Sequence, residues 1–352
     1  MKTKIKSLAK KIFDKKNKSD KILETDKIKS ILFFRDDDKI GDMTVSTLLF
    51  REIKKKYCDV KIIVLCGKNN REIIKYNNNV DEIYEVGGSF FQDILIFKKL
   101  AKPRINLAVD FYQFMPRFKH LLMLRLIAPE FLIGFYKQSY NIYDFSIDVD
   151  FFDVHISKKY EYLLKILKIE NPDLKYDIVF TSKEEKKAFS AVKNGCRRKY
   201  RLVLNPFAAS RHRSFDYCKL KELISLIENN LDCCVFVLCN AKNTKKIKSL
   251  ANDRTFIVCF KSVLETAALI KQADVVITPD TSIVHISAAF NKKTIALYLD
   301  YSNTYEKINL IWGPNNPNAV QLSVNTKNNI VKNDIKSISS DLVVKKLKEF
   351  LG

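Results

Sequence analysis

In each half of this chain short apolar runs are repeatedly followed by longer stretches with helical spacing, and that alternation constrains the fold more than any other feature. From residue 30, "SILFFR", "VKIIVLC", "EIYEV", "INLAVDF" and "FLIGF" read as strands, with helical patterns over 43–57, 70–77, 90–101 and 113–127. Another amphipathic helix is expected over 155–169. After a charged segment that ends near Gly195, a natural helix stop, the rhythm restarts. "RLVLNPF", "CCVFVLC", "TFIVCF", "DVVIT" and "TIALYL" read as strands between helices at 216–230, 243–251, 262–272 and 282–290, and "DLVVKKLKEFL" closes the chain. Strands that are apolar throughout, each followed by a helix, predict an α/β protein with parallel sheets covered on both faces. At 352 residues the chain is too long for one ordinary core. The expected organisation is a basic leader (1–29), a first Rossmann-like domain (30–180) and a second (181–352) whose last helix packs back on the first. Ligands of such sheets sit beyond the carboxyl ends of the strands, so both domains are expected to aim their strand-to-helix loops at a central cleft.

Charge narrows the partners. Lys and Arg number 62 against 40 acids, a net charge of +22, which favours polyanions: nucleic acid, an anionic bilayer or a phosphorylated substrate. The leader holds eleven lysines and four acids, with Ile5, Leu8, Ala9, Ile12 and Phe13 at helical spacing, and reads as an amphipathic helix suited to an anionic membrane surface. No apolar run approaches a membrane span or the core of a signal peptide, so a cytoplasmic location is expected. A nucleic-acid binder fits poorly: no zinc module, RNP-type strand or basic recognition helix is present. A nicotinamide enzyme would carry G-x-G-x-x-G after the first strand, where this chain has "DDDKIGD". The eight cysteines form no C-x-x-C pair, and several lie in apolar runs, so buried free thiols are expected rather than zinc or disulfides.

Three segments carry residues suited to chemistry. In "ADVVITPDTSIVHISAAFNKKTIALYL" a strand ends at Thr278, and Asp280 or Thr281 caps a helix whose free N–H groups and dipole suit a phosphate. Ser282 lies beside that cap, and His285 is one turn in. In "LVLNPFAASRHRSF" a strand ends at Asn205-Pro206, and a small-residue loop leads to Ser210 and to Arg213, a residue type suited to phosphate. In "FFRDDDKIGDMTVSTLLFREI" Asp36 and Asp38 stand at a D-x-D spacing that suits a divalent metal held with phosphates. The same stretch also reads as a tight turn at Gly41 that sets Asp42 at a helix N-terminus. There the dipole keeps the carboxylate ionised, either as a plain cap or as a general base.

Together, and in this order over roughly residues 30–320, the segments resemble glycosyltransferase family 9, the bacterial lipopolysaccharide heptosyltransferases. "RDDDKIGDMTVSTLLFREIKKKY" is similar to the family's R-x-D-x-I-G-D segment, and "NPFAASRHRSF" to its phosphate loop. "SVLETAALIKQADVVITPDTSIVHISAAF" is similar to its L-x-E…D-T-G-x-x-H-x-A-A signature, and "IWGPNNP" to its closing region. The resemblance implies a GT-B architecture, with acceptor on the first domain and nucleotide sugar on the second. It further implies an inverting transfer that needs neither metal nor organic cofactor. Asp42 then matches the general base, positioned by Gly41. Ser210, Arg213, Glu265, Asp280, Thr281, Ser282 and His285 match donor-binding positions; Arg35 and Lys39, with Arg117 and Lys119, are acceptor-side candidates. The implied substrates are ADP-heptose and the anionic inner core of lipopolysaccharide or lipooligosaccharide, at the inner face of the cytoplasmic membrane, with no nucleic-acid partner. Ser282 stands where the family has glycine, Arg213 replaces its lysine, Phe215 its tryptophan, and "DYSN" its glycine turn after "TIALYL". Another nucleotide sugar, or binding without turnover, is the alternative.

Overall fold

The computed structural model describes residues 21–352 except 103, 113–117, 151, 194–195, 303 and 327–331. The expected helix of the leader, Gly195 and Arg117 therefore lie outside the described residues.

The first sheet comprises β1 (Ser30–Arg35), β2 (Lys61–Cys66), β3 (Glu82–Glu85), β4 (Leu107–Asp110), β5 (Phe131–Phe135) and β6 (Phe145–Ile147). With it go helices α1 (Ile40–Lys56), α2 (Arg71–Ile74), α3 (Phe90–Ala101) and α4 (Phe118–Ile127), and then α5 (Ile156–Ile166). The second sheet comprises β7 (Tyr200–Leu204), β8 (Cys233–Leu238), β9 (Thr255–Val258), β10 (Val275–Pro279), β11 (Lys293–Tyr298) and β12 (Ala319–Ser323). Its helices are α6 (Ser182–Lys193), α7 (Tyr217–Asn230), α8 (Ala241–Ile247), α9 (Val263–Gln272), α10 (Ser282–Ala289), α11 (Ile308–Ile311) and α12 (Ser340–Leu351). The expected strands form because central strands such as "SILFFR" and "CCVFVL" are apolar on both faces and bury both. The edge strands β6 and β12 were not expected: "FSI" and "AVQLS" are short, half-exposed and interrupted by polar residues.

Every strand pair is parallel, and the two sheets share one order, β3-β2-β1-β4-β5-β6 and β9-β8-β7-β10-β11-β12. The winding direction reverses between β1 and β4, and again between β7 and β10. Those reversals open a crevice at the carboxyl edge of each sheet. The chain divides into two compact units: one runs through Asp150 and adds Glu161–Asp173, and the other holds 152–160 and Leu174–Gly352. Residues 174–180, placed with the first domain from sequence, thus run with the second unit.

The last helix, α12, places Val343, Val344 and Leu347 with Leu220, Leu223 and Ile227 of α7 in the core of the second unit. One expectation fails here: disulfides were not expected, yet Cys196 and Cys234 are bonded, with Cα atoms 5.7 Å apart. Cys66 and Cys233 are buried thiols as expected, whereas Cys259 is exposed. No helix among the described residues is long and apolar enough to cross a membrane.

Candidate active site

The three sequence segments sit at the two crevices. In the first unit β1 delivers Arg35–Lys39 to the switch point, and its three consecutive aspartates have separate duties. Asp38 takes the left-handed conformation (φ 57°), and its carboxylate accepts from the backbone N–H of Asn69 (2.6 Å) and Asn70 (3.2 Å), fastening the loop after β2. A Cβ on Gly67 would collide with that carboxylate. Asp37 accepts from the Lys39 N–H (3.2 Å) and lies 3.4 Å from Arg35. Asp36 is exposed at its surface but hemmed in by protein, which raises its carboxyl pKa against the pull of His120. The Asp38 carboxylate is thus committed to holding the loop after β2. Among the described residues, no group of three or more His, Cys, Asp and Glu is placed to hold a metal ion.

The expected glycine turn is absent: Asp38 makes the turn, and Gly41 lies within the first turn of α1, whose cap position is Lys39. Asp42 occupies that same turn. Arg35, 3 % exposed, spans the junction. Its guanidinium donates to the Asp42 backbone oxygen (2.9 Å), stands 3.4 Å from the Asp42 carboxylate and lies 4.5 Å above the Phe111 ring. Arg35, an acceptor-side candidate from sequence, thus braces Asp42 through both its backbone oxygen and its carboxylate, while Lys39, the other candidate, is exposed. The helix dipole was expected to hold Asp42 ionised. Burial instead raises its pKa, outweighing Arg35 and Lys39, with Asp37 adding to the rise.

Sequence reading missed a buried polar network beside this crevice. Asp110, at the end of β4, bonds His120 Nε2 (2.9 Å), the Tyr143 hydroxyl (2.5 Å) and the Tyr112 N–H (2.8 Å). Burial opposes both charges of the Asp110–His120 pair, but their attraction wins, lowering the pKa of Asp110 and raising that of His120. Lys137, 1 % exposed, joins the cluster, and burial lowers its pKa. Gly134 of β5 pairs in register with Asp110; a Cβ there would stand 2.6 Å from both the Tyr143 ring and Lys137 Cγ. The only sequence signal was an acid and a glycine at the ends of neighbouring apolar strands.

In the second unit Thr281 caps α10, accepting from the Ile283 N–H (3.3 Å). The buried Asn205 amide, at the end of β7, donates to the hydroxyls of both Thr278 (3.0 Å) and Thr281 (3.1 Å), binding the two switch-point loops together. The strand before Thr281 runs through Pro279 rather than stopping at Thr278. A cavity of about 230 Å³ opens here, lined by Asn205, Phe207, Asn240, Thr266, Thr281 and Ser282 among others. Arg213 pairs with Asp280 (2.7 Å) and donates to Ser210 Oγ (3.3 Å), so three expected donor residues form one chain. Burial raises the Asp280 pKa against Arg213. Glu265, buried in the first turn of α9, accepts from the Lys261 N–H (3.1 Å) and pairs with Lys187 of α6. The "DYSN" turn needs no glycine because the Asp300 carboxylate accepts from the Ser302 N–H (2.9 Å) and from Thr326.

His285 differs most from expectation. It is 4 % exposed, its ring lies between Tyr176 (6.1 Å) and Trp312 (6.0 Å), and its Nδ1 has no hydrogen-bond partner among the described residues. Burial, with His155 nearby, pushes its pKa down to about 3, so the imidazole is neutral and offers no charge to an anion.

Comparison with known proteins accords with this geometry. The family model for glycosyltransferase family 9 (heptosyltransferase) matches residues 116–339, which include the whole α10 site but not Asp42. Over 310 residues the chain is 26 % identical to the Escherichia coli (strain K12) protein named "Putative lipopolysaccharide heptosyltransferase 4", covering 86 % of this chain and 84 % of that one. Among solved structures, a family 9 glycosyl transferase from Veillonella parvula superposes with a TM-score of 0.75 at 14 % identity, over 92 % of this chain and 97 % of that one. E. coli ADP-heptose lps heptosyltransferase II gives 0.71 at 15 % identity, over 92 % and 98 %. With a family match spanning more than half its length and this doubly wound pair of sheets, the chain belongs to glycosyltransferase family 9, the heptosyltransferases, and is a glycosyltransferase of GT-B architecture.

Proposed function

We propose that this enzyme moves a heptose from ADP-heptose onto the inner core of lipopolysaccharide or lipooligosaccharide at the inner membrane face, by a single inverting displacement without a metal. The observation that carries the reading is the cavity at the β7/β10 switch point, lined by the capped helix start at Thr281 and Ser282, with Asp280, the partner of Arg213, next to that cap in the chain. The positive end of the α10 dipole at Thr281 and Ser282 and the Arg213 guanidinium match a pyrophosphate, whose negative charge grows as the sugar leaves. Asn205 and Thr281 fix the helix start, so these donors need no rearrangement at the moment of reaction.

Asp42 serves as the general base, taking the proton of the acceptor hydroxyl as it attacks the anomeric carbon. Burial raises its pKa towards the working range, where a base is most effective, and Arg35 keeps the carboxylate aimed and prevents a larger rise. At the end of β4 the buried Asp110–His120 pair holds the backbone at Tyr112, through the Tyr112 N–H, beside this crevice. A panel of ADP-, UDP-, GDP- and CMP-sugars, read as thermal shift and as nucleotide release with a lipopolysaccharide-core acceptor, tests the assignment. Stabilisation and acceptor-dependent release by ADP-heptose are expected; stabilisation by a different sugar nucleotide alone overturns the donor. Ser282, with its Cβ and hydroxyl on the cavity wall where the family has glycine, favours a second reading in which another nucleotide sugar is used.

A further inference from the structure

Helix α3 buries one apolar stripe and leaves a second one open to solvent. Asp93, Phe97 and Leu100 face the core, at intervals of four and three residues. Phe91 and Leu95 lie on the opposite stripe and are 81 % and 67 % exposed, with Phe90 beside them at 48 %. At about 3.6 residues per turn that stripe continues through Lys98 to Lys102, both exposed, with Lys99 alongside. One outward face thus carries large apolar side chains in its first half and lysines in its second.

Fraying does not explain the exposure. Ser89 and Gln92 close a capping box at the helix start. The next turn is anchored by the buried Asp93, which accepts from the Gly87 N–H (3.0 Å) and pairs with Lys119 of α4. A pinned helix that presents rigid apolar groups to solvent has the pattern of a surface that meets another apolar phase. The lysines select among possible occupants: basic groups bordering exposed Phe and Leu complement an anionic lipid interface, where rings enter the acyl boundary and ammonium groups stay at the headgroups.

We propose that the outer face of α3, centred on Phe91, Leu95 and Lys98, is a docking surface for an anionic lipid bilayer. It gives the membrane association of the proposed function a site in the folded first unit, in addition to the basic leader. The inference rests on that reading only for its biological sense, because its test uses neither donor nor acceptor.

The test is co-sedimentation of the full chain with phosphatidylcholine vesicles, with and without phosphatidylglycerol. Wild type should sediment with the anionic vesicles. Phe91→Ser/Leu95→Ser and Lys98→Glu/Lys102→Glu should each bind them more weakly by about tenfold or more, with an unchanged thermal midpoint. Sedimentation of both variants like wild type overturns the proposal and leaves attachment to another part of the chain. Unchanged sedimentation together with a drop in molar mass by light scattering for Phe91→Ser/Leu95→Ser overturns it in favour of contact between two copies. Failure of every sugar nucleotide to bind would defeat the donor assignment while leaving the vesicle result intact.

Discussion

The Arg35 guanidinium lies 2.9 Å from the backbone oxygen of Asp42 and 3.4 Å from its carboxylate. One side chain therefore fixes both the start of α1 and the acid it presents. Burial raises the Asp42 pKa, with Asp37 adding to the rise, while Arg35 first and Lys39 second hold it down, so the charge of this carboxylate is set by a contest between solvent exclusion and nearby charges. Asp42→Asn should keep donor affinity, read by thermal shift, and lose about 10² to 10⁴ in turnover. If Asp42 is the base proposed, kcat/KM of the wild type should rise with pH through its raised pKa, because only the ionised carboxylate can accept a proton. Arg35→Met should move that acidic limb to higher pH; a limb that stays put, with turnover merely reduced, would mean Arg35 acts on packing alone.

Arg213 is held by Asp280 at 2.7 Å beside the cavity. Arg213→Ala should weaken ADP-sugar binding by about 1.5–3 kcal/mol, the usual range for a hydrogen bond to a charged group. Arg213→Lys should recover only part of it, since an ammonium lacks the planar fork. Isothermal titration with ADP and with the full sugar nucleotide separates loss at the phosphates from loss at the sugar.

His285 and Trp312, the only tryptophan in the chain, have ring centroids 6.0 Å apart. The folded imidazole pKa lies near 3, below the ordinary value of about 6.5, so the unfolded chain takes a proton that the folded chain refuses. Stability of the second unit should fall as pH drops below about 6.5, with His285 contributing about 2 kcal/mol of loss by pH 5. Trp312 fluorescence during urea titrations from pH 7 to about pH 5 follows this directly, and His285→Leu should remove about half of the histidine-linked dependence, since burial also lowers the pKa of His155 in the same unit, to about 4.

Gly134→Ala should destabilise the first unit by about 1–3 kcal/mol, because the new methyl meets Tyr143 and Lys137 in a packed interior. Tyr143→Phe should cost less, about 1–2 kcal/mol, removing one hydroxyl from the Asp110 carboxylate without a clash. Chemical denaturation followed by circular dichroism distinguishes the two; equal losses would show that the slot at Gly134 is wider than the geometry indicates.

The Asp280-Thr281-Ser282 helix start was legible because strand, cap and helix are contiguous, and a cap is local chemistry. The aspartate triplet was legible only as a cluster. The fastening of Asp38 to Asn69 and Asn70 depends on a loop from the next strand, and no spacing within "RDDDK" signals it.

The sequence by itself determined two parallel sheets with helices on both faces, since strands buried on both sides must be written as continuous apolar runs. It also determined where those strands end and which polar residues follow them. Tertiary structure alone decided which of those residues meet. Asp110, His120 and Tyr143 share no period and converge only because β4, α4 and the segment before β6 pack around the missing Cβ of Gly134. The neutral state of His285, the Cys196–Cys234 bond and the seat of the last helix follow from which surfaces were covered, and burial is a property of the packed chain.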